Sequence, residues 1–318
     1  MSQKLAKESF RSVFKVVDKE SLRWFPGHMG KGLKQMQQRL KKVDCVMEIH
    51  DARIPFSGRN SDFKYTISGI KPHILILNKV DLIDSRIKKQ IETKLKNECE
   101  HVIFTNCKLS NDAGVKKLFP LAQELINKSD RYNRSGEEDF CVMMIGVPNV
   151  GKSSLTNCLR NRFLRKGNAS QVGARPGITR SVLMKIKISE KPLSYMLDTP
   201  GILTPNIPNT EVGLKLALCN TIEDHLVGET TIADYLLYWL NKFQHFEYVQ
   251  VFGLKEATDD ILEVLTQIAL NNGKMLKFKD PSAGMYVQRP NLDAAAKLMI
   301  KSFRIGELGK LMLDEEFL

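Results

Sequence analysis

A chain of 318 residues has room for about two domains, and a composition of 42% hydrophobic and 26% charged residues excludes extensive disorder. The longest apolar run, Phe140 to Val147, falls far short of the roughly 20 residues that a membrane-spanning helix needs. The net charge of +12 is unevenly spread: residues 1–140 hold 27 Lys and Arg against 18 Asp and Glu, residues 141–210 hold 10 against 2, and residues 211–318 hold 11 against 16. A basic surface gains from counterion release on phosphate backbones, so the charge points to a polyanion such as nucleic acid, with simple solubility as the alternative. The six cysteines show no C-x-x-C pair and no zinc spacing, which fits thiols in a reducing compartment.

In chain order, residues 1–22 form a basic segment in which Phe10, Val13, Phe14 and Val17 share one helical face. It suits an organellar transit peptide or an ordinary surface helix. Met29, Leu33, Met36, Leu40 and Val43 predict an amphipathic helix over 29–43. Apolar runs predict buried strands near 44–50, 74–78 and 101–105, with helices at about 85–98 and 112–127. This alternation implies a mostly parallel sheet with helices on both faces. The second strand ends in Asn78-Lys79-Val80-Asp81, which resembles the guanine-specificity signature of GTP-binding proteins. A carboxylate at Asp81 accepts two hydrogen bonds, and guanine offers N1–H and a 2-amino donor side by side, a pattern adenine lacks. Lys79 would lay its stem against the base, and Asn78 would brace the loop. The loop after the third strand, with Asn106, Cys107 and Lys108 at its tip, is placed to offer a backbone N–H to guanine O6.

Residues 128–139 are polar and aperiodic, as a linker would be. A second block then begins with a strand at 140–146, a helix from about 151, and strands near 182–188 and 193–198. Between strand and helix lies a phosphate loop, Gly146 to Ser153, of the pattern G-x-x-x-x-G-K-[ST]. Its backbone N–H groups, including those around Asn149, Val150, Gly151 and Ser154, and the following helix N-terminus would cradle phosphates. Lys152 would neutralise the β- and γ-phosphates, and Ser153 would ligate Mg²⁺. Thr179, in the loop 174–180, is a candidate second hydroxyl ligand, ordered when the γ-phosphate is present, or else an ordinary loop threonine. At a strand end, Asp198-Thr199-Pro200-Gly201 would hold a Mg²⁺-bound water through Asp198 and offer the Gly201 N–H to the γ-phosphate. The two halves of the nucleotide site thus occur in reversed order, base loops first. Joined through 128–139 they make a complete core, a rearrangement that costs little where the original termini lie close together. The expected fold is an α/β, circularly permuted P-loop GTPase domain over 23–207. A small all-α domain is expected over 208–318, from helical patterns at 211–226, 231–243, 256–271 and 292–312.

The segments "RWFPGHMGKGLKQM", "DARIPFSGRN", "LNKVDL", "GVPNVGKSSL", "PGITR" and "DTPG" together resemble the circularly permuted YlqF/RbgA family of ribosome-assembly GTPases, and "VGLKLALC" and "IADYLLY" resemble its mitochondrial branch. The resemblance covers nearly the whole chain. It implies a monomeric GTP hydrolase of the mitochondrial matrix, peripheral to the inner membrane, that binds GTP and GDP. It implies action on the large subunit of the mitochondrial ribosome, both rRNA and proteins, with the C-terminal domain on rRNA. Because that domain is net negative, RNA would need a local basic face. Lys297, Lys301 and Arg304 offer one on the last helix, unless they are a solvated face, and the basic segments 31–42 and 160–187 are alternatives. Ile202 stands where many GTPases carry a water-orienting glutamine. The resemblance offers His28 for that role, against a structural histidine in a turn. Asn149 resembles the K⁺-ligating asparagine of potassium-stimulated GTPases, against a permissive loop position. Two rivals stay open: a GTPase with a non-ribosomal RNA or membrane client, and an RNA-binding scaffold that holds guanine nucleotide with little turnover.

Overall fold

The structure is a computed structural model that describes residues 10–15, 38–59, 71–109, 111–165, 184–199, 201, 207, 209–279 and 286–318. The chain divides into two compact units, one of residues 23–223 with 310–318, the other of residues 1–22 with 224–309.

The first unit is built on six strands: β1 Cys45–Asp51, β2 His73–Asn78, β3 Val102–Phe104, β4 Phe140–Ile145, β5 Met184–Glu190 and β6 Leu193–Asp198. They lie in the order β3-β2-β1-β4-β6-β5, all parallel except β5, which runs antiparallel to β6. β1, β4 and most of β2 are buried along their length, which is why they read as continuous apolar runs. Helices α1 Lys88–Lys96, α2 Ala113–Lys128, α3 Lys152–Leu164 and α4 Thr210–Leu218 complete the unit among the described residues. Ile91 and Leu95 of α1 pack with Leu75 and Leu77 of β2, and Met312 from the end of the chain joins them.

From β1 the sheet grows outward through β2 and β3, and from β4 through β6 and β5. The strand order therefore reverses between β1 and β4, and the C-terminal ends of the parallel strands beside that point form the crevice where open α/β sheets bind ligands. The connection between the two halves, residues 129–139, is clamped at the opposite edge. Fully buried Asp44 accepts from Arg131 Nε (3.2 Å), Arg134 Nε (3.0 Å) and the Cys141 backbone N–H (2.8 Å).

The second unit holds α5 Asp224–Val227, α6 Glu229–Lys242, α7 Glu247–Phe252, α8 Ile261–Asn271 and α9 Leu292–Ile305. It also carries an antiparallel pair, β7 Met275–Lys279 and β8 Tyr286–Pro290, in a region expected to be helical throughout. Its core is α6, where Ile232 to Asn241 are buried except Asp234. Residues 10–15 belong here but are not helical. Phe14 packs edge-on against Tyr235 and tilted against Tyr238, Phe10 packs against Phe246, and Arg11 pairs with Asp234 at 2.8 Å, so aromatic docking rather than helix periodicity explains Phe10 and Phe14.

Two boundaries differ from the sequence reading. The division drawn at 208 falls at 224, because α4 is buried within the first unit. The helix drawn to 312 ends at Ile305, where Gly306 adopts φ 88 and caps it. Residues 310–318 then return to the first unit: Leu313 N–H donates to Arg53 O (2.8 Å), and Asp314 accepts from Phe56 N–H (2.9 Å), Ser57 N–H (2.8 Å) and Lys215 Nζ (3.2 Å). Of the helix expected at 29–43, the described part includes a short 3-10 turn, Leu40–Lys42.

Candidate nucleotide-binding site

The loops after β2, β3, β4 and β6 come together at one edge of the sheet. Asn78, at the end of β2 and 3% exposed, holds three of them. Its Nδ2 donates to Val150 O in the phosphate loop (2.8 Å), and its Oδ1 accepts from Thr105 Oγ1 (3.1 Å) and the Cys107 N–H (3.3 Å). Gly151 sits directly over this amide with φ 107, and a Cβ there would lie 2.2 Å from Asn78 Nδ2, so only glycine fits. The base half and phosphate half, 72 residues apart between Asn78 and Val150, thus share one side chain.

Lys79 takes a left-handed conformation, φ 62, and its Nζ lies 2.9 Å from Asp51 Oδ2. Asp51 also receives Arg53 Nε (2.9 Å) and Nη2 (2.8 Å). Burial would raise the Asp51 carboxyl, but the Arg53 and Lys79 cations hold it well below the usual carboxylate range. Asp51 is therefore a positioning residue for Lys79. The sequence carries it in "DARIPFSGRN", one of the segments of the family resemblance, at the end of a strand and with nothing local to mark Lys79 as its partner. Asp81 projects from the 3-10 turn Val80–Leu82. Its Oδ2 accepts from Lys108 Nζ (3.2 Å), while its Oδ1 is buried without a hydrogen-bond partner among the described residues. In the second base loop the Lys108 N–H donates to Asn106 Oδ1 (3.0 Å), an Asx turn that fixes the tip. Cys158 of α3 donates its thiol to Cys107 O (3.3 Å), joining that loop to the helix behind the phosphate loop.

The phosphate loop runs from β4 into α3. Gly146 has φ 148, and a Cβ there would meet Ile49 O at 2.2 Å, so the loop passes directly over β1. Lys152 is buried and donates to Gly146 O (3.1 Å) and Val147 O (2.8 Å). Burial lowers its pKa to about 8 against the opposing pull of Asp198, an environment that favours an anion beside the ammonium. Ser153 donates to Asp198 Oδ2 (3.2 Å), bringing a hydroxyl and a carboxylate together at the helix N-terminus. Hard oxygen donors of this kind suit Mg²⁺, Ser153 directly and Asp198 through water, and the ion would neutralise phosphate charge there. Gly201 packs against the phosphate loop so closely that a Cβ would lie 2.7 Å from Pro148 Cα. This places the end of the DTPG segment beside the phosphate loop. Asn149, φ 58, donates its Nδ2 to Asn220 O (2.6 Å), a tie with no local signature in the sequence. His28, Thr179 and Ile202 lie outside the described residues.

A nucleotide edge shared by two base loops, a phosphate loop and a switch glycine, in this strand order, defines a circularly permuted P-loop GTPase domain. The chain is 58% identical to "Mitochondrial GTPase 1" of Aedes aegypti, covering 97% of this chain and 98% of that one, and 50% identical to "Mitochondrial ribosome-associated GTPase 1" of Bos taurus, covering 98% and 93%. It belongs to that family, the mitochondrial branch of the YlqF/RbgA-type GTPases, and is a GTP hydrolase. Residues 141–272 match the family described as "50S ribosome-binding GTPase", a match that begins at the phosphate-loop strand and omits the base loops ahead of it. The fold is that of YlqF from T. maritima in its GNP-bound crystal structure, with a TM-score of 0.57 at 22% identity over 89% of this chain and 97% of that one.

Proposed function

We propose that this GTPase acts in assembly of the large subunit of the mitochondrial ribosome, binding immature subunits with GTP and leaving on hydrolysis. The observation that carries the reading is the 50% identity, over both units, to a relative named as mitochondrial and ribosome-associated. The positive excess of residues 1–210 supports an rRNA partner. The protein would work in the mitochondrial matrix, peripherally at the inner membrane, and among the described residues no helix is long and apolar enough to cross a membrane. Within the site, Asp81 reads guanine, Lys152 and the loop around Gly151 hold the phosphates, and Ser153, Thr179 and Asp198 serve Mg²⁺. His28 orients the attacking water in place of a glutamine at Ile202. K⁺ binds through Asn149 Oδ1, the amide being held in place by its bond to Asn220.

The test is GTP turnover with and without mitochondrial large subunits, each in K⁺ and in Na⁺. Stimulation by subunits and by K⁺ is expected. Turnover indifferent to subunits would overturn the ribosomal reading, and turnover indifferent to K⁺ would remove the Asn149 role.

A further inference from the structure

Residues 211–318 hold more Asp and Glu than Lys and Arg, so an RNA contact in the helical unit has to be local. The face of α9 offered by sequence is largely neutralised within the unit. Arg304 donates to Asp224 at 2.8 and 2.5 Å, and Lys297 lies 3.3 Å from Glu229. The β7–β8 ribbon differs. Residues 274–278 and 286–290 contain Lys274, Lys277 and Arg289 and no Asp or Glu. None of the three has a carboxylate partner among the described residues.

Residues opposite each other in an antiparallel pair share a face, and faces alternate along each strand. Leu276 pairs with Arg289 and Phe278 with Val287, which makes one face. Leu276, Phe278 and Val287 are about equally exposed, at 40, 40 and 41%. The other face carries Lys277 opposite Gln288, with Tyr286 near them at 76% exposure. The Arg289 guanidinium lies 5.3 Å from the centre of the Phe278 ring. A two-stranded ribbon so exposed is marginal in water and gains from a partner. Cations without carboxylate partners that share a face with an exposed aromatic ring, Lys277 with Tyr286 and Arg289 with Phe278, match one chemistry well: phosphates beside unstacked bases.

We propose that the β7–β8 ribbon is a binding surface for single-stranded RNA that wraps its edge, with Lys277 on a phosphate and a base stacked on Tyr286 on one face, and Arg289 on a phosphate at the other. The proposal rests on the ribosomal reading above and names the part of the chain that meets RNA. The full chain, loaded with a GTP analogue, is titrated against a fluorescent oligouridine of about 12 nucleotides, within the span such platforms cover, at several salt concentrations. Lys277→Glu with Arg289→Glu should weaken binding at least tenfold and flatten the slope of log affinity against log salt by about 0.7 per lost phosphate contact. Tyr286→Ala should weaken it about tenfold with the slope unchanged, and Tyr286→Phe should restore it. Lys301→Glu on α9 should bind as wild type. Basal GTP turnover and melting temperature of each variant establish that it is folded. Ribbon variants within twofold of wild type, or no oligouridine binding by wild type, would overturn the proposal. So would variants that lose large-subunit co-sedimentation yet keep wild-type RNA affinity, since a ribosomal protein would then occupy the ribbon. Failure of the wild type to sediment with subunits would instead overturn the ribosomal reading, leaving the oligouridine result to decide the ribbon.

Discussion

Asn78 is the residue on which the site depends most. One amide serves the phosphate loop through Val150 O and the second base loop through Thr105 and Cys107. Asn78→Ala leaves buried polar groups unpaired in two loops and should cost about 2–4 kcal/mol in unfolding free energy, with GDP affinity falling at least a hundredfold. Denaturant unfolding and fluorescent-nucleotide titration measure both, and a variant that binds GDP normally would show that the loops hold without the amide. At Asp81 the prediction is one of selectivity. Its buried Oδ1, beside an Oδ2 shared with Lys108, suits a ligand that donates two hydrogen bonds. Asp81→Asn replaces one acceptor with a donor, which matches the 2-oxo group of xanthine rather than the 2-amino group of guanine. GTP affinity should fall at least a hundredfold, and XTP should bind better than GTP. Unchanged preference for GTP would remove Asp81 from base recognition.

At the scale of elements, the start of β2 is pinned to β1 through charge. Buried Glu48 lies 2.6 Å from His50 Nε2 and 2.9 Å from His73 Nε2, and the Cys99 thiol approaches His73 Nδ1 at 3.4 Å. Burial works against the charged His73 ring, but Cys99 and Glu48 outweigh it and raise its pKa from 6.5 to about 9. The resulting stability is fully present below the unfolded value of 6.5 and is lost as pH rises through about 9. Unfolding free energy should therefore decline across that window by on the order of 1–3 kcal/mol, and His73→Gln should flatten the decline. A wild-type profile already flat between those values would contradict the assignment. The same scale shows which elements could be read from sequence. β1, β2, β4 and β6 were legible because their buried residues form apolar runs ending in site loops. β7 and β8 were not, because the alternation Leu276-Lys277-Phe278 and Val287-Gln288 is too short to stand out between helical patterns. The Asp51–Lys79 and Lys215–Asp314 pairs join segments distant in sequence, and no local pattern encodes them. Lys215 is 1% exposed and held by Asp314 and Glu316, partners about a hundred residues away that nothing around it in the sequence marks.

At the scale of the whole molecule, permutation sets what the nucleotide site adjoins in the chain. The phosphate loop bonds through Asn149 to Asn220, shortly before the helical unit begins at Asp224. The chain re-enters the first unit at Lys310, and Asp314 then meets Lys215, on the helix that follows the DTPG segment. Both connections of the helical unit are thus anchored on the GTPase fold, one on the phosphate loop and one on the helix that follows the DTPG segment. A change at a bound γ-phosphate would have a short covalent route to the unit carrying the basic ribbon. The nucleotide state is expected to govern binding to the large ribosomal subunit. This is tested most directly by co-sedimentation of the full chain with mitochondrial large subunits in a non-hydrolysable GTP analogue and in GDP. Retention on the subunits is expected with the analogue and release with GDP; equal sedimentation in both, or none in either, would show that nucleotide state does not govern the binding.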